Sequence, residues 1–265
     1  MPTREPAETS IRRLFVLLCG FEILPKSIST RDRGARFILS EPVCAYLLDT
    51  DRGWVLLDTG LHPHNGCDMA RRQQKFWQLG MTAPVIRDQH LLERQLADIG
   101  VGVGDIGHVI LSHLHYDHAG NLQCFRHSRI SVQRREHVHA FGSRPGMAYF
   151  HDEYGDARLQ WDLRDGDWEA QPGLHLLDTR GHTPGHQSAV VRLRETGTIV
   201  LPFDAADMQE NFDDNVLPGE SCDDAAAARA IQRLKAIAAE TRALTLFFHD
   251  PVAIQAMRLG PACYR

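Results

Sequence analysis

The chain has 265 residues, 43% of them hydrophobic and 24% charged, which is enough for one large core or two small ones in a globular protein. Its 29 Lys and Arg stand against 34 Asp and Glu, a net charge of −5. That balance argues against a nucleic-acid groove or an anionic membrane surface as the main partner.

Residues 1–10 are polar and expected to be loose. Arg12-Arg13 followed by Leu14 to Cys19 has the outline of a secretory signal. The apolar run is short, however, acids precede it, and no small-residue cleavage site follows. It reads instead as a first buried strand over 13–19. No stretch reaches the length of a transmembrane helix. The six cysteines (Cys19, Cys44, Cys67, Cys124, Cys222, Cys263) form no Cys-x-x-Cys pair. This excludes a zinc ribbon, offers no disulfide framework and points to a reduced, cytoplasmic setting.

Strands follow at 43–49 and 54–58, joined by a hairpin turn over Asp49 to Gly53. The second ends in Asp58-Thr59-Gly60. This is a simple turn on one reading, and on another an acid that orients a ligand histidine. Residues 61–87 lack a strand pattern. A helix there carries Met69, Phe76, Trp77 and Leu79, as core residues or as the wall of a greasy pocket. Leu91, Leu92, Gln95, Leu96 and Ile99 keep helical spacing up to Gly100, a terminator.

An apolar strand, 108–112, then runs into His113-Leu114-His115-Tyr116-Asp117-His118. A lone histidine is usually a surface or core residue with a hydrogen-bond partner. Here four groups able to bind metal fall within six residues. On an extended backbone His113, His115 and Asp117 face one way and His118 must turn in, which suits two adjacent ions.

Beyond the motif come a short strand at 130–132 and a helix from Arg134 to Phe141, with His137 and His139 read as structural or exposed. The stretch 143–170 mixes Gly, Pro, aromatics and charges and is a candidate lid. Strand patterns resume at 174–178, 187–193, 198–203 and 244–248. Between the last two lies a helix, 223–239, with Ala227, Ala230, Ile231, Leu234 and Ala238 on one face and Asp223 and Asp224 at its start, as the helix dipole favours. The whole is expected to be a single domain over 1–265.

Three more candidate ligands end strands or follow them closely: His182, Asp204 and His249. Five histidines and two aspartates suit zinc, with iron, cobalt and manganese also compatible. The expected assignment is His113, His115 and His182 on one ion, and Asp117, His118 and His249 on the other. Asp204 bridges them, as in sites where two ions share a carboxylate and a hydroxide.

These residues resemble the metallo-β-lactamase superfamily, and more closely the N-acyl homoserine lactonases. The shared segments are PVCAYLLDT, VLLDTG, SHLHYDHAG, RGHTPGHQS, FDAADMQENFDD, RLKAIAAE and FFHD, running from near residue 14 to 250. The resemblance implies an α+β, four-layer αββα sandwich with the dinuclear site at one edge of its sheets. It also implies opening of the lactone ring of quorum-sensing signals.

In this reading a hydroxide shared by two divalent ions, zinc foremost, attacks the lactone carbonyl. Asp117 or Asp204 assists proton transfer to the leaving alkoxide. The partner is a small-molecule lactone, and the protein is a monomer or homodimer. One departure stands out. Where those lactonases carry a tyrosine three residues after the bridging aspartate, this chain has Asp207. An ionised carboxylate cannot donate a hydrogen bond to a developing oxyanion. Tyr116 is therefore a candidate catalytic donor from another side.

The departure also opens a rival: another small lactone, ester or phosphotriester on the same site. A glyoxalase-II-like thioesterase lacks its basic cluster here. Di-iron oxidoreductases of this fold typically carry Glu where His115 stands, and an idle metal module has no need of an open coordination position.

Overall fold

The computed structural model describes residues 9–265, so most of the loose N-terminus expected over 1–10 lies outside the described residues. Thr9 and Ser10 are not loose: both are buried, and their hydroxyls donate to the carbonyls of Arg192 and Pro172.

Two mixed sheets build the frame. The first runs β1 (Ile11–Pro25), β2 (Ile38–Thr50), β3 (Gly53–Leu57), β4 (Ile106–Ile110), β5 (Arg129–Gln133) and β6 (Gln160–Arg164), in that spatial order. Its β1–β2–β3 part is antiparallel, and β3 to β6 are parallel. The second sheet holds β7 (Trp168–Gln171), β8 (Leu174–Asp178), β9 (Gln187–Leu193), β10 (Gly197–Leu201) and β11 (Leu244–Thr245), in reverse spatial order. The helices are α1 (Pro63–Cys67), α2 (Met69–Lys75), α3 (Leu92–Ile99), α4 (Tyr116–Ala119), α5 (Arg134–Ala140), α6 (His151–Tyr154), α7 (Gln209–Asp214) and α8 (Asp224–Thr241).

Why these elements form is readable locally. In β2, residues 41–50 are all buried, as a near-continuous apolar run demands of a strand covered on both faces. Gly100 ends α3 in the left-handed region, φ 83°, which costs least for glycine. Asp223 caps α8 by accepting from the Ala226 N–H at 3.0 Å, satisfying a donor that the first turn leaves open.

One core gathers both sheets, including Leu14, Val16, Leu47, Leu176 and Val191. Another lies under α8, where Ala230, Ile231 and Leu234 meet Val200 and Phe247. Helix α3 touches β1 and α8 touches β10. The result is an α+β sandwich of two sheets with helices outside. Among the described residues, no helix is long and apolar enough to cross a membrane.

Three expectations need correction. The stretch 143–170 is not an irregular lid throughout, because it contains α6, β6 and β7. Both strands lie at sheet edges, and their charged, half-buried residues obscure any alternation. The strand expected over 244–248 is regular only at Leu244–Thr245. Beyond it Leu246 still donates to the Val200 carbonyl, but the chain then turns to deliver His249. Finally, Met69, Trp77 and Leu79 are exposed and Phe76 is core. None of the four walls the cavity described below.

Candidate metal centre

Loops leaving the C-terminal ends of β3, β4, β8, β10 and β11 meet at one end of the sandwich. The two sheets are tied there by the Gln187 N–H, which donates to the Ser112 carbonyl at 3.0 Å. After β4 the chain is extended only as far as His115, and α4 begins at Tyr116. Asp117 therefore reaches the centre from a helical turn rather than from the extended run expected, with His118 beside it.

All seven predicted residues converge. One ligand atom from each of His113, His115, His182 and Asp204 lies within 4.8 Å of the others, and the same holds for Asp117, His118, Asp204 and His249. Asp204 belongs to both groups. Its Oδ1 is 3.2 Å from His118 Nε2, and its Oδ2 is 3.4 Å from His182 Nε2 and 3.6 Å from His249 Nε2. On the other side, Asp117 Oδ2 is 2.9 Å from His118 Nε2 and 3.5 Å from His249 Nε2.

Groups behind the ligands decide which ring nitrogen faces inward. His118 donates through Nδ1 to Asp58 Oδ2 at 2.8 Å, His249 to the Pro42 carbonyl at 3.1 Å, and His182 to the Glu220 carbonyl at 2.7 Å. Ser112 Oγ gives its hydrogen to Asp58 Oδ2 and so accepts from His113 Nδ1 at 3.0 Å. In each case Nε2 is left for the centre.

Of the two readings of Asp58, the structure favours the acid that orients a histidine. The φ of 56° at Asp58 and the 48° of Phe203, next to Asp204, are left-handed conformations that cost a non-glycine residue about 1–3 kcal/mol.

The donor set fits divalent cations. His113 Nε2, His118 Nε2 and Asp204 Oδ1 are enclosed and have no hydrogen-bond partner. Buried polar atoms in that condition call for a ligand. Burial and the neighbouring imidazoles hold His113 and His115 well below the usual histidine range, whereas the surrounding carboxylates overcome burial and hold His118 and His249 above it. Burial opposes ionisation of Asp117, but His118 prevails and keeps its carboxyl below the usual range.

Two positioning residues were not singled out in the sequence. Glu136, fully buried on α5, accepts from Leu114 N at 3.1 Å, Tyr149 Oη at 2.8 Å, Thr183 Oγ1 at 2.7 Å and Gly185 N at 3.1 Å. It thereby pins the loop of His182 to that of His115. A Cβ on Gly185 would meet the Glu136 backbone nitrogen at 2.2 Å, so only glycine permits this approach. His186 takes the Asp204 N–H on its Nε2 at 3.1 Å and donates to the Thr179 carbonyl at 3.2 Å. Its place four residues after His182 was the available hint.

A cavity of about 850 Å³ opens over the centre. It is lined by Gly80, Met81 and Thr82 from 61–87 and by residues 145–149 from 143–170, so only part of each expected pocket segment takes part. Tyr116 lines it as well, stacked on Phe150, but its hydroxyl donates to Glu22 Oε1. The donor expected for the reacting carbonyl is therefore committed elsewhere. Asp207 is buried on the cavity wall. Burial pushes Glu22 up to about 8, Glu41 up to about 7 and Asp207 well above the carboxylate range.

Residues 41–201 match the family model of the metallo-β-lactamase superfamily. An N-acyl homoserine lactonase of Bacillus thuringiensis is 31% identical over 252 residues, covering 95% of this chain and 98% of that protein. One from Azorhizobium caulinodans is 29% identical over 233 residues, covering 84% and 87%. Among solved structures, an N-acyl homoserine lactone hydrolase with the product N-hexanoyl-L-homoserine at its catalytic metal center is similar at a TM-score of 0.88. It is 30% identical, with 97% of this chain and 100% of that one covered. The fold, the convergent histidines and aspartates, and these likenesses together show that the chain belongs to the metallo-β-lactamase superfamily and, within it, to the N-acyl homoserine lactonase family.

Proposed function

We propose that this protein is a metal-dependent hydrolase that opens the lactone ring of N-acyl homoserine lactones, and so quenches quorum-sensing signals. The observation that carries the reading is the pair of histidine–aspartate groups sharing Asp204 beneath a cavity of about 850 Å³. Family membership implies a dinuclear metal site. His113, His115 and His182 would hold one ion, Asp117, His118 and His249 the other, and Asp204 both. Zinc best suits this imidazole-rich set. When bound, the ions supply Lewis-acid polarisation of a carbonyl and acidify a water.

The chain's own residues do the rest. Ile23, Leu24, Ile28, Ile38, Met81 and Met147 line the cavity and offer apolar surface to an acyl chain, while the polar floor holds the ring. Asp117 and Asp204, the catalytic carboxylates of this reading, stand where a proton can pass to the alkoxide released as the ring opens. Glu136 and His186 hold their loops against movement, which keeps reacting groups in register. All six cysteines are free thiols, which fits a reducing compartment such as the cytoplasm.

A second reading, hydrolysis of another small lactone, ester or phosphotriester, is favoured by one observation: Asp207, a buried acid, stands where the resemblance led us to expect a tyrosine. The test is ring opening of N-hexanoyl homoserine lactone by metal-loaded protein, with a chelator control and Asp204→Asn. Activity lost together with bound metal supports the reading. No ring opening above buffer, with activity on a phosphotriester or simple ester, would replace it by the second.

A further inference from the structure

Two segments of the chain wall the cavity beside the metal centre. Gly80, Met81 and Thr82 follow α1 and α2, and residues 145–149 precede α6. The helices before the first wall carry no apolar stripe: α2 buries none of its residues and α1 only Asn65. Such a pair draws its hold from polar contacts rather than from packing of its own. Arg71 of α2 supplies them. Its Nε donates to Asn65 Oδ1 at 2.5 Å, its Nη2 to Glu153 Oε1 of α6 at 2.5 Å, and its Nη1 to Asp152. Asn65 Nδ2 donates to the same Glu153 oxygen at 2.9 Å, and Lys75 Nζ to Asp152 Oδ1 at 2.6 Å. Lys75 and Arg71 also stand over the Phe150 ring, 4.8 and 5.8 Å from its centroid, within the range of cation–π attraction.

The Arg71 and Glu153 side chains are 16% and 1% exposed. A buried pair of this kind is a poor source of stability, because desolvation offsets the attraction. What the planar guanidinium fork does supply is one fixed geometry. Burial pushes Glu153 up to about 8, and its carboxyl accepts from the guanidinium in either protonation state. Burial also opposes ionisation of Asp152, but Lys75 and Arg71 prevail and hold it at about 2. The clasp bears on the cavity through three rings. Phe76, just after α2, meets Phe150 and Tyr116 edge-on at 5.5 and 5.3 Å between centroids, and Tyr116 stacks on Phe150 at 4.6 Å. The Phe76 carbonyl accepts from Met81 N at 2.9 Å, which ties the rings to the first wall. Tyr116 N donates to the Ala148 carbonyl at 2.9 Å, which ties them to the second.

We propose that Arg71 is a positioning residue of the reaction: by clasping Asn65, Asp152 and Glu153 it fixes the two cavity walls relative to each other, and with them the grip on the acyl chain. This inference rests on the lactonase reading and adds to it the determinant of a preference for acylated over bare lactones. Arg71 does not itself line the cavity. It acts through the walls that carry Met81 and Met147, so its loss weakens binding of the chain and leaves the chemistry at the ring in place.

The test uses metal-loaded protein with Arg71→Gln and Asp152→Ala made separately. The Asp152 side chain is 46% exposed, so a folding failure in the first variant leaves the second. Two substrates are compared: N-hexanoyl homoserine lactone, and γ-butyrolactone, which has no acyl chain to grip. In each variant KM for the first is expected to rise about tenfold with kcat within about twofold, the sign of binding lost equally from ground and transition states. Both constants for γ-butyrolactone should stay within about twofold of wild type, which a general loosening of the fold would not allow. Hydrogen exchange is the independent readout. The amides of Met81 and Tyr116 should exchange about tenfold faster in the variants, with those of β8 and β9 unchanged. Equal losses on both lactones, or an unaltered KM for the acylated one, overturn the inference and leave the lactonase reading intact. If wild type opens neither lactone, that reading falls and exchange alone decides: faster exchange at Met81 and Tyr116 supports the clasp, and unchanged exchange overturns it as well.

Discussion

Asp58 Oδ2 lies 2.8 Å from His118 Nδ1 with both side chains closed off from solvent, and the Ser112 N–H and Oγ complete the acid's hydrogen bonds at 2.7 and 2.8 Å. The acid sets both the tautomer and the tilt of the ring, so His118 Nε2 faces Asp204. Removing such a partner typically lowers metal affinity ten- to a hundredfold. Asp58→Asn should weaken metal binding by about that much in a chelator competition, with loss of activity in step. Unaltered affinity would mean that packing against Phe248 suffices to hold the ring.

Glu136 is the knot behind the site. Replacing it by Ala strands four buried donors, and the expected loss is roughly 3–5 kcal/mol of folding stability. Glu136→Gln keeps an acceptor but turns an amide toward a donor, for a loss of about 1–3 kcal/mol. Urea unfolding of both variants measures the difference. An Ala variant within about 1 kcal/mol of wild type would show that water replaces the carboxylate easily.

Tyr116 separates two roles for one hydroxyl. Because its hydrogen goes to Glu22, Tyr116→Phe should leave kcat/KM for N-hexanoyl homoserine lactone within about threefold, a change in barrier of under 1 kcal/mol. A loss of a hundredfold would return the hydroxyl to the reacting carbonyl, the role expected from the sequence.

Stability should also depend on pH through His108, remote from the metal centre. Burial, with Arg129 beside it, pushes this histidine down to about 4. The unfolded chain therefore binds a proton, from about pH 6.5 downward, that the fold refuses. The contribution is fully present above that pH and is lost as pH falls from about 6.5 to about 4. It amounts to about 3 kcal/mol at most. Unfolding at pH 7.5 and pH 5 should show wild type losing more stability than His108→Gln. Equal losses in the two proteins would remove His108 from the account.

The sequence alone determined which groups could bind metal. His113 to His118 lie within a few residues of one another, and His182, Asp204 and His249 each follow an apolar run. Those are local patterns, set by strand period and by where a strand must stop. It also yielded the strands at 174–178 and 187–193 to the residue. Tertiary structure decided what depends on register and on edges. Glu22 faces Glu41 only because β1 pairs with β2 in one alignment, and a slip of one residue would turn either side chain to the opposite face. Glu136 and His186 act through loops that meet only after both sheets have packed. The edge strands β6 and β7 lack the two-sided burial that would have marked them in the chain.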